Sequence, residues 1–398
     1  MSSNDQGNGN GNGDSRGVIR VREGERAWAR REAKRESKRK PHRDVTKDIA
    51  FVEQVALATY FHDDRVSHRS PRAVAKELNT SVPAVSAALE RAYELGIVFP
   101  QLSIPKERAQ VLRLERKVKQ RYPKLREVLL VPGFPSMLDK PTREHRQTVH
   151  MQVVRAMARR VADYLDEFVA KYVGNANGVL IGCAWGRTVH AVAEFLNMTP
   201  RAVQLPLLRA MPIVGVTLAT HEHPVEANVV ASHIATAFGG SSGQLPSPAI
   251  LDAMSADFVL KSPEIRRILR DIEACELVLT GMGPILHDPD GDSEIRLVND
   301  PETNQKLIEA ARARGAIGEM CSWFFNEAGE PVETRYTTVG LGYAGLKRIA
   351  ADPKRRVVLV TGGDVKRFRP LKVALKAGLA STLVTDTVTA RYLVDELR

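Results

Sequence analysis

At 398 residues the chain is long enough for two or three separate cores, since domains commonly run about 100–200 residues. Hydrophobic residues make up 43% and charged residues 26%, an ordinary globular balance, and no apolar run reaches the roughly 18–20 residues that would span a bilayer. Three cysteines without a short spacing exclude a disulfide framework and a zinc set, and the first residues lack the apolar stretch of a secretory signal. A reducing cytoplasm is the expected compartment.

The net charge of +11 speaks to partners rather than to fold. Much of it is local: residues 16–43 carry twelve Lys or Arg, behind a Gly/Asn-rich start with almost no apolar content. Residues 1–44 therefore read as a disordered basic arm, either a solvated tail or a source of salt-sensitive phosphate contacts on DNA.

After the arm, Ile49, Val52, Val55, Ala56 and Tyr60 fall at helical spacing and predict a first helix. A polar break follows, then Ser70-Pro71 supplies an N-cap and a first-turn proline for a second helix reaching about Leu78. Asn79 suits a left-handed turn, and Ser81 can cap a third helix that carries Val85, Leu89, Ala92 and Leu95 inward and stops at Gly96. Small Ala75, a turn residue, Ser81, Val85 and Leu89 together have helix-turn-helix spacing, which beside a basic arm points to DNA. The stretch 97-IVFPQLSIP-105 is expected to form a short strand or wing. Residues 106–125 predict a charged helix that links domains or pairs subunits.

From residue 127 short apolar runs alternate with helices: EVLLVPG, GVLIGCAWG, ELVLTGMG and RVVLVTGG each end in glycine. Such alternation marks a parallel α/β sheet, buried on both faces, with its ligand crevice at the carboxyl ends of the strands. Val149, Val153, Met157, Val161, Leu165 and Phe168 form the core face of a long helix between the first two runs.

The strand-turn-helix at 181-IGCAWGRT-188 offers backbone amides to an anion, with Arg187 and Thr188 able to add directed hydrogen bonds. The loops at 280-TGMG-283 and 361-TGGDVK-366 repeat the arrangement, and Lys366 can place a mobile positive charge on a phosphate or acidic group. Glu319 is a candidate acceptor of ligand hydroxyls or a general base. Trp323 and its neighbouring phenylalanines read as core, Cys183 and Cys321 as small buried hydrophobes, and His221 and His223 lack a third ligand, so no metal and no cofactor are expected.

Taken in order, AKELNTSVPAVSAAL, IGCAWGRT, TGMG, GAIGEMCSWFFNEAGEPVE, TGGDVKRFRPLKVAL and LVTDTVTARYLV resemble the SorC-type (SorC/DeoR-like) sugar-binding transcriptional regulators over about residues 48–397. The resemblance implies an N-terminal winged helix-turn-helix at 45–104, a linker helix at 105–126, and a Rossmann-like parallel α/β effector domain at 127–398. That domain would be similar in fold to ribose-5-phosphate isomerase and glucosamine-6-phosphate deaminase. It implies no enzyme but a cytoplasmic homo-oligomer, dimer or tetramer, with double-stranded operator DNA and a phosphorylated sugar or related metabolite as partners, and no membrane. Gly186, Arg187, Thr188, Gly281, Gly283, Glu319, Gly362, Gly363, Lys366 and Asp386 would form the effector site. The recognition helix has Val82 and Ala87 where the family often has arginine, so DNA contacts are expected of Arg72, Lys76, Ser81, Ala84, Ser86 and Arg91, or of the basic arm. The competing reading is a sugar-phosphate isomerase or deaminase with an accessory DNA-binding unit, drawing its acid and base from Glu319, Asp364 and Asp386.

Overall fold

The computed structural model describes residues 48–62, 65–66, 69–95, 97–98, 106–138, 143–198, 201, 203–217, 226–285, 295, 297–298 and 300–396. The basic arm, residues 99–105 of the expected wing, and His221 and His223 lie outside them. The chain divides into two compact units, residues 1–103 and 104–398.

In the first unit, α1 (Ile49–Tyr60) is followed by a small antiparallel pair, β1 (Phe61–His62) and β2 (Arg65–Val66), where the sequence showed only a polar break. Then come α2 (Pro71–Glu77) and α3 (Val82–Glu94). Both caps expected from the sequence form: Ser70 Oγ accepts from the Ala73 amide and Ser81 Oγ from the Ala84 amide, each at 3.3 Å. Asn79 takes φ 47°, the left-handed conformation that lets the chain turn between the helices. The core is Val52, Val55, Val74, Val85 and four alanines, Ala56, Ala75, Ala88 and Ala92, whose short side chains let the helices approach closely. Leu95 is 40% exposed rather than inward, because the Ile97 and Val98 amides both return to the Ala92 carbonyl and close the helix first.

The second unit opens with α4 (Lys106–Arg121), β3 (Glu127–Val131), α5 (Arg143–Ala170), β4 (Val179–Cys183), α6 (Arg187–Met198), β5 (Leu208–Pro212), α7 (Ala227–Ala237) and β6 (Ser241–Ser242). It continues through β7 (Ile250–Asp252), α8 (Ala253–Lys261), α9 (Pro263–Glu273), β8 (Leu277–Thr280), β9 (Gly283–Pro284), α10 (Pro301–Ala313), β10 (Gly318–Met320), β11 (Trp323–Phe325), β12 (Pro331–Val332) and β13 (Tyr336–Thr338). It closes with α11 (Gly342–Ala351), β14 (Arg356–Val360), α12 (Phe368–Ala377), β15 (Thr382–Asp386) and α13 (Thr387–Leu393).

Seven strands form one sheet in the order β3-β15-β14-β8-β4-β5-β6, every neighbouring pair parallel. Side chains alternate between two cores. Val357 and Leu359 of β14 face the helices α4, α9, α11 and α12, whereas Val358 and Val360 face α5, α6 and α7. The helix at 106–121, expected to link domains or pair subunits, packs on the sheet: Leu114 and Val118 sit in the same core as Val128 and Leu130. Strands β5 and β6 escaped the sequence reading, because β5 carries Arg209 and Pro212 in an LRAMP run and β6 has only two residues. A second, antiparallel sheet, β12-β11-β10-β9, buries Trp323, Phe324 and Phe325 as core.

The strand order fixes where a ligand can enter. After β4 the chain moves outward to β5 and β6; after β8 it moves the other way, to β14 and β15. The helices of the two directions cover opposite faces, with Val192 and Leu196 of α6 in one core and Leu346 and Ile349 of α11 in the other. The loops that leave β4 and β8 therefore part, and a crevice opens between them at the carboxyl edge of the sheet. Among the described residues no helix is long and apolar enough to cross a membrane.

Candidate functional site

At that crevice lies a cleft with about 610 Å³ of atom-free space, its open mouth included. One wall is the loop from β4 into α6, running from Ala184 to Val189; another is Thr280 to Pro284 after β8; Ile295, Glu319, Cys321 and Arg367 complete it. Six of the residues singled out from sequence, Gly186, Arg187, Thr188, Gly281, Gly283 and Glu319, are brought together here. Gly186 has φ 112°, a conformation open to glycine and costly for other residues, and its carbonyl accepts from the His190 amide to start α6. The first-turn amides of α6, an exposed Arg187 and the Thr188 hydroxyl thus share one end of the cleft.

Glu319 is 5% exposed. Burial pushes its carboxyl up to about 7, against the pull of a hydrogen bond from the Ser322 amide and of the Arg367 charge. That amide bond to Oε1 measures 2.6 Å. It belongs to the two-residue loop of the β10–β11 hairpin, in which Met320 pairs with Trp323 and the intervening Cys321 and Ser322 have φ 52° and 64°. Two positive φ angles are what a type I′ turn demands, and residues other than glycine or asparagine adopt them at a cost. The turn is tied down on each side: Thr338 Oγ1 donates to the Ser322 carbonyl at 2.7 Å, and the Thr280 hydroxyl lies 3.2 Å from Cys321 Sγ. Burial drives the Cys321 thiol up to about 12, so at neutral pH it lines the cleft as a neutral group.

The last glycine loop has a different role from the one expected. Gly362, Gly363, Lys366 and Asp386 do not line the cleft. Asp386 is completely buried and accepts four hydrogen bonds: from the Gly363 amide at 2.8 Å, the Val388 and Thr389 amides at 2.9 and 3.0 Å, and the Thr389 hydroxyl at 2.5 Å. It caps α13 and ties the ends of β14 and β15 together, which leaves no free oxygen for a ligand at the pocket edge. Gly362 makes room for this carboxylate, since a Cβ there would stand 2.5 Å from Asp386 Oδ2. Lys366 is half-buried outside the lining. The cation of this loop that lines the cleft is Arg367, 8% exposed, whose guanidinium donates to the Met282 carbonyl. Asp364 caps the short turn 365–367 through the Lys366 amide, and this turn aims Arg367, not Lys366, under the β8 loop.

In the first unit, Arg72, Lys76, Ser81 and Ser86 are exposed and Ala84 is half-buried. Arg91 pairs with Glu94 at 2.7 Å. Ser86 Oγ donates to the Val82 carbonyl at 3.1 Å.

The family described as "Putative sugar-binding domain" matches residues 106–395. The chain belongs to it. The deoxyribonucleoside regulator of Bacillus subtilis (strain 168) is 25% identical over 334 residues, 83% of this chain and 94% of that protein. The transcriptional regulator YjhU of Escherichia coli (strain K12) is 24% identical over 353 residues, 85% and 96% of the two chains. The solved structure of the full-length sorbitol operon regulator SorC from Klebsiella pneumoniae superposes with a TM-score of 0.57 at 22% identity, covering 87% of this chain and 99% of that one. The chain thus carries the sugar-binding domain that the family model names, and the two relatives that it covers over most of their length are named as regulators. The carboxylates that an isomerase would have needed as a pair are employed separately, Asp364 and Asp386 as caps and Glu319 in the cleft.

Two consequences are measurable. Asp386→Ala leaves buried donors unpaired and should cost about 2–4 kcal/mol in denaturant unfolding, with the transition still cooperative. Glu319 keeps its proton in the folded chain up to about pH 7, whereas unfolded it gives it up near the ordinary value of 4.5. Its contribution therefore makes stability fall between those pH values, by about 3 kcal/mol in total. Unfolding at pH 5 and pH 8 should show Glu319→Gln gaining by that amount over the parent at the higher pH; a constant difference would refute the assignment.

Proposed function

We propose that this chain is a cytoplasmic, operator-binding regulator whose DNA affinity or oligomeric state is set by a phosphorylated sugar, or a related metabolite, held in the β4–β8 crevice. The observation that carries this reading is the pairing, within one cleft, of the Gly186–Thr188 helix start with the buried carboxylate of Glu319. A sugar phosphate has a matching polarity: an anion for amides and guanidinium, and hydroxyls to donate to a carboxylate. Gly186, Arg187, Thr188, Gly281, Gly283, Glu319 and Arg367 are the proposed contacts, with Gly362, Gly363, Lys366 and Asp386 supporting them from behind. The second unit is read as the isomerase- and deaminase-like effector domain.

The first unit is read as a winged helix-turn-helix over residues 45–104, with α3 entering the major groove. Ser81, Ala84 and Ser86 on the early turns of α3 would meet base edges, and Arg72 and Lys76 phosphates. The Arg91–Glu94 pair is exposed on both sides, so exchanging Glu94 for a phosphate costs little. A symmetric dimer or tetramer would present two or more such units to a palindromic operator.

Fluorescence anisotropy on the DNA upstream of the chain's own gene should give an affinity that falls steeply with salt; a slope near zero would remove the DNA claim. In thermal shift, a sugar phosphate at 100 times its Kd should stabilise the chain by about 2.7 kcal/mol. Arg187→Ala should weaken that ligand by about 1.5–3 kcal/mol and leave DNA binding without ligand unchanged. Indifference to every phosphorylated sugar tested would overturn the sensing claim.

A further inference from the structure

Among the described residues β3 ends the seven-stranded sheet, with β15 on one side only. Its register alternates. The Glu127 amide turns inward to the Ser381 carbonyl, while the Leu130 amide turns outward and is met by Glu115 Oε1 at 3.1 Å. Val128 shares the parity of Leu130, so its N–H and C=O, with the Leu130 carbonyl, face the same outer side. That side is a groove between α4 and α5, away from the effector cleft and sharing no lining residue with it.

The groove has two kinds of wall. Leu112, 38% exposed, and half-buried Leu129 give it apolar ground. Around them stand Arg116, Lys119, Arg160 and Lys171, for which the described residues provide no ion pair, opposed by Glu167. Glu115 is engaged with the strand edge and Arg126 with the carbonyls of Asp352 and Arg355. An unpaired strand edge invites another strand. A second copy of the chain would bring the same four cations face to face, so charge disfavours it. A nucleic-acid backbone answers the cations but has no use for the strand edge or the leucines.

We propose that this groove is a docking surface for an extended, acidic segment of a partner protein, added beside β3 as an eighth strand. Main-chain hydrogen bonds to Val128 and Leu130 would give affinity, alternate apolar side chains would rest on Leu112 and Leu129, and acidic ones would reach Arg116, Lys119, Arg160 and Lys171.

The probe is a fluorescein-labelled peptide, Ser-Glu-Val-Glu-Val-Glu-Val-Ser, titrated with the full-length protein by anisotropy. Saturable binding is expected, lost with lysines in place of the glutamates. N-methylation of the peptide's amides, which keeps charge but removes main-chain donors, should weaken it about tenfold or more, as should Lys119→Glu with Arg160→Glu. The double variant should retain the parent's melting temperature. No binding at about 1 mM peptide overturns the proposal, a generous ceiling for a strand-addition contact. So does equal binding of the N-methylated peptide, which would leave charge alone, or tighter binding of a thymidylate oligonucleotide, which would make the groove a nucleic-acid surface.

Discussion

The reversal of strand order between β4 and β8 is the constraint on which the rest of the second unit depends. Right-handed crossovers from two adjacent parallel strands, one leading to β5 and the other to β14, must lay α6 and α11 on opposite faces. Neither helix can then cover the gap between the two loops, and a parallel sheet otherwise sealed on both faces is left open at one edge. Everything polar that the fold gathers near this gap, from the start of α6 to the hairpin tip at Cys321–Ser322, is there because the backbone parts at that place.

The walls of the gap are stiffened by polar groups that would be unfavourable elsewhere. A carboxylate buried as deeply as Glu319 is costly to charge, and a type I′ loop made of Cys and Ser costs on the order of 1–2 kcal/mol per residue in backbone strain. The two costs meet in one hydrogen bond, from the Ser322 amide to Glu319. Arg367 lies behind it, fastened to the Met282 carbonyl of the opposite loop. The turn after β14 is thus joined to the β8 loop by a side-chain-to-backbone bond, and the β10–β11 hairpin to the end of β8 by the Thr280–Cys321 side-chain contact, although they belong to different sheets.

The sheet was legible where burial leaves an apolar run. The runs at 127, 179, 277 and 356 all became strands because a parallel strand with both faces covered has no polar position to hide behind. β5 and β6 lacked that signature, and the helix 106–121 looked like a link because its few apolar residues, Leu114 and Val118 among them, are hidden among charges. For the site, glycines and the Arg187-Thr188 helix start were readable as local patterns. The exchange of Lys366 for Arg367 was not, since it turns on a three-residue 3₁₀ turn that decides which of two adjacent cations points inward. Asp386 misled for a related reason: Asp ahead of Thr-Val-Thr marks an N-cap as readily as a ligand contact, and only the buried amides of Gly363, Val388 and Thr389 distinguish them.

Under the proposed reading, a ligand in this cleft would be held by electrostatics and backbone rather than by a hydrophobic pocket. A ligand shifts an equilibrium only by the difference in its affinity for the two states, and reversing a 1:99 population takes about 5.5 kcal/mol. A ligand donor that took the place of the Ser322 amide on Glu319 Oε1 would remove this bond. Losing that partner frees a strained turn, whose next restraint is the bond from Thr338 to the Ser322 carbonyl. Thr338 lies in β13, which pairs with β7 immediately before α8, the helix that exposes Met254 and Phe258. Side-chain and strand-pairing hydrogen bonds thus connect the hairpin that holds Glu319 with the segment that leads into α8.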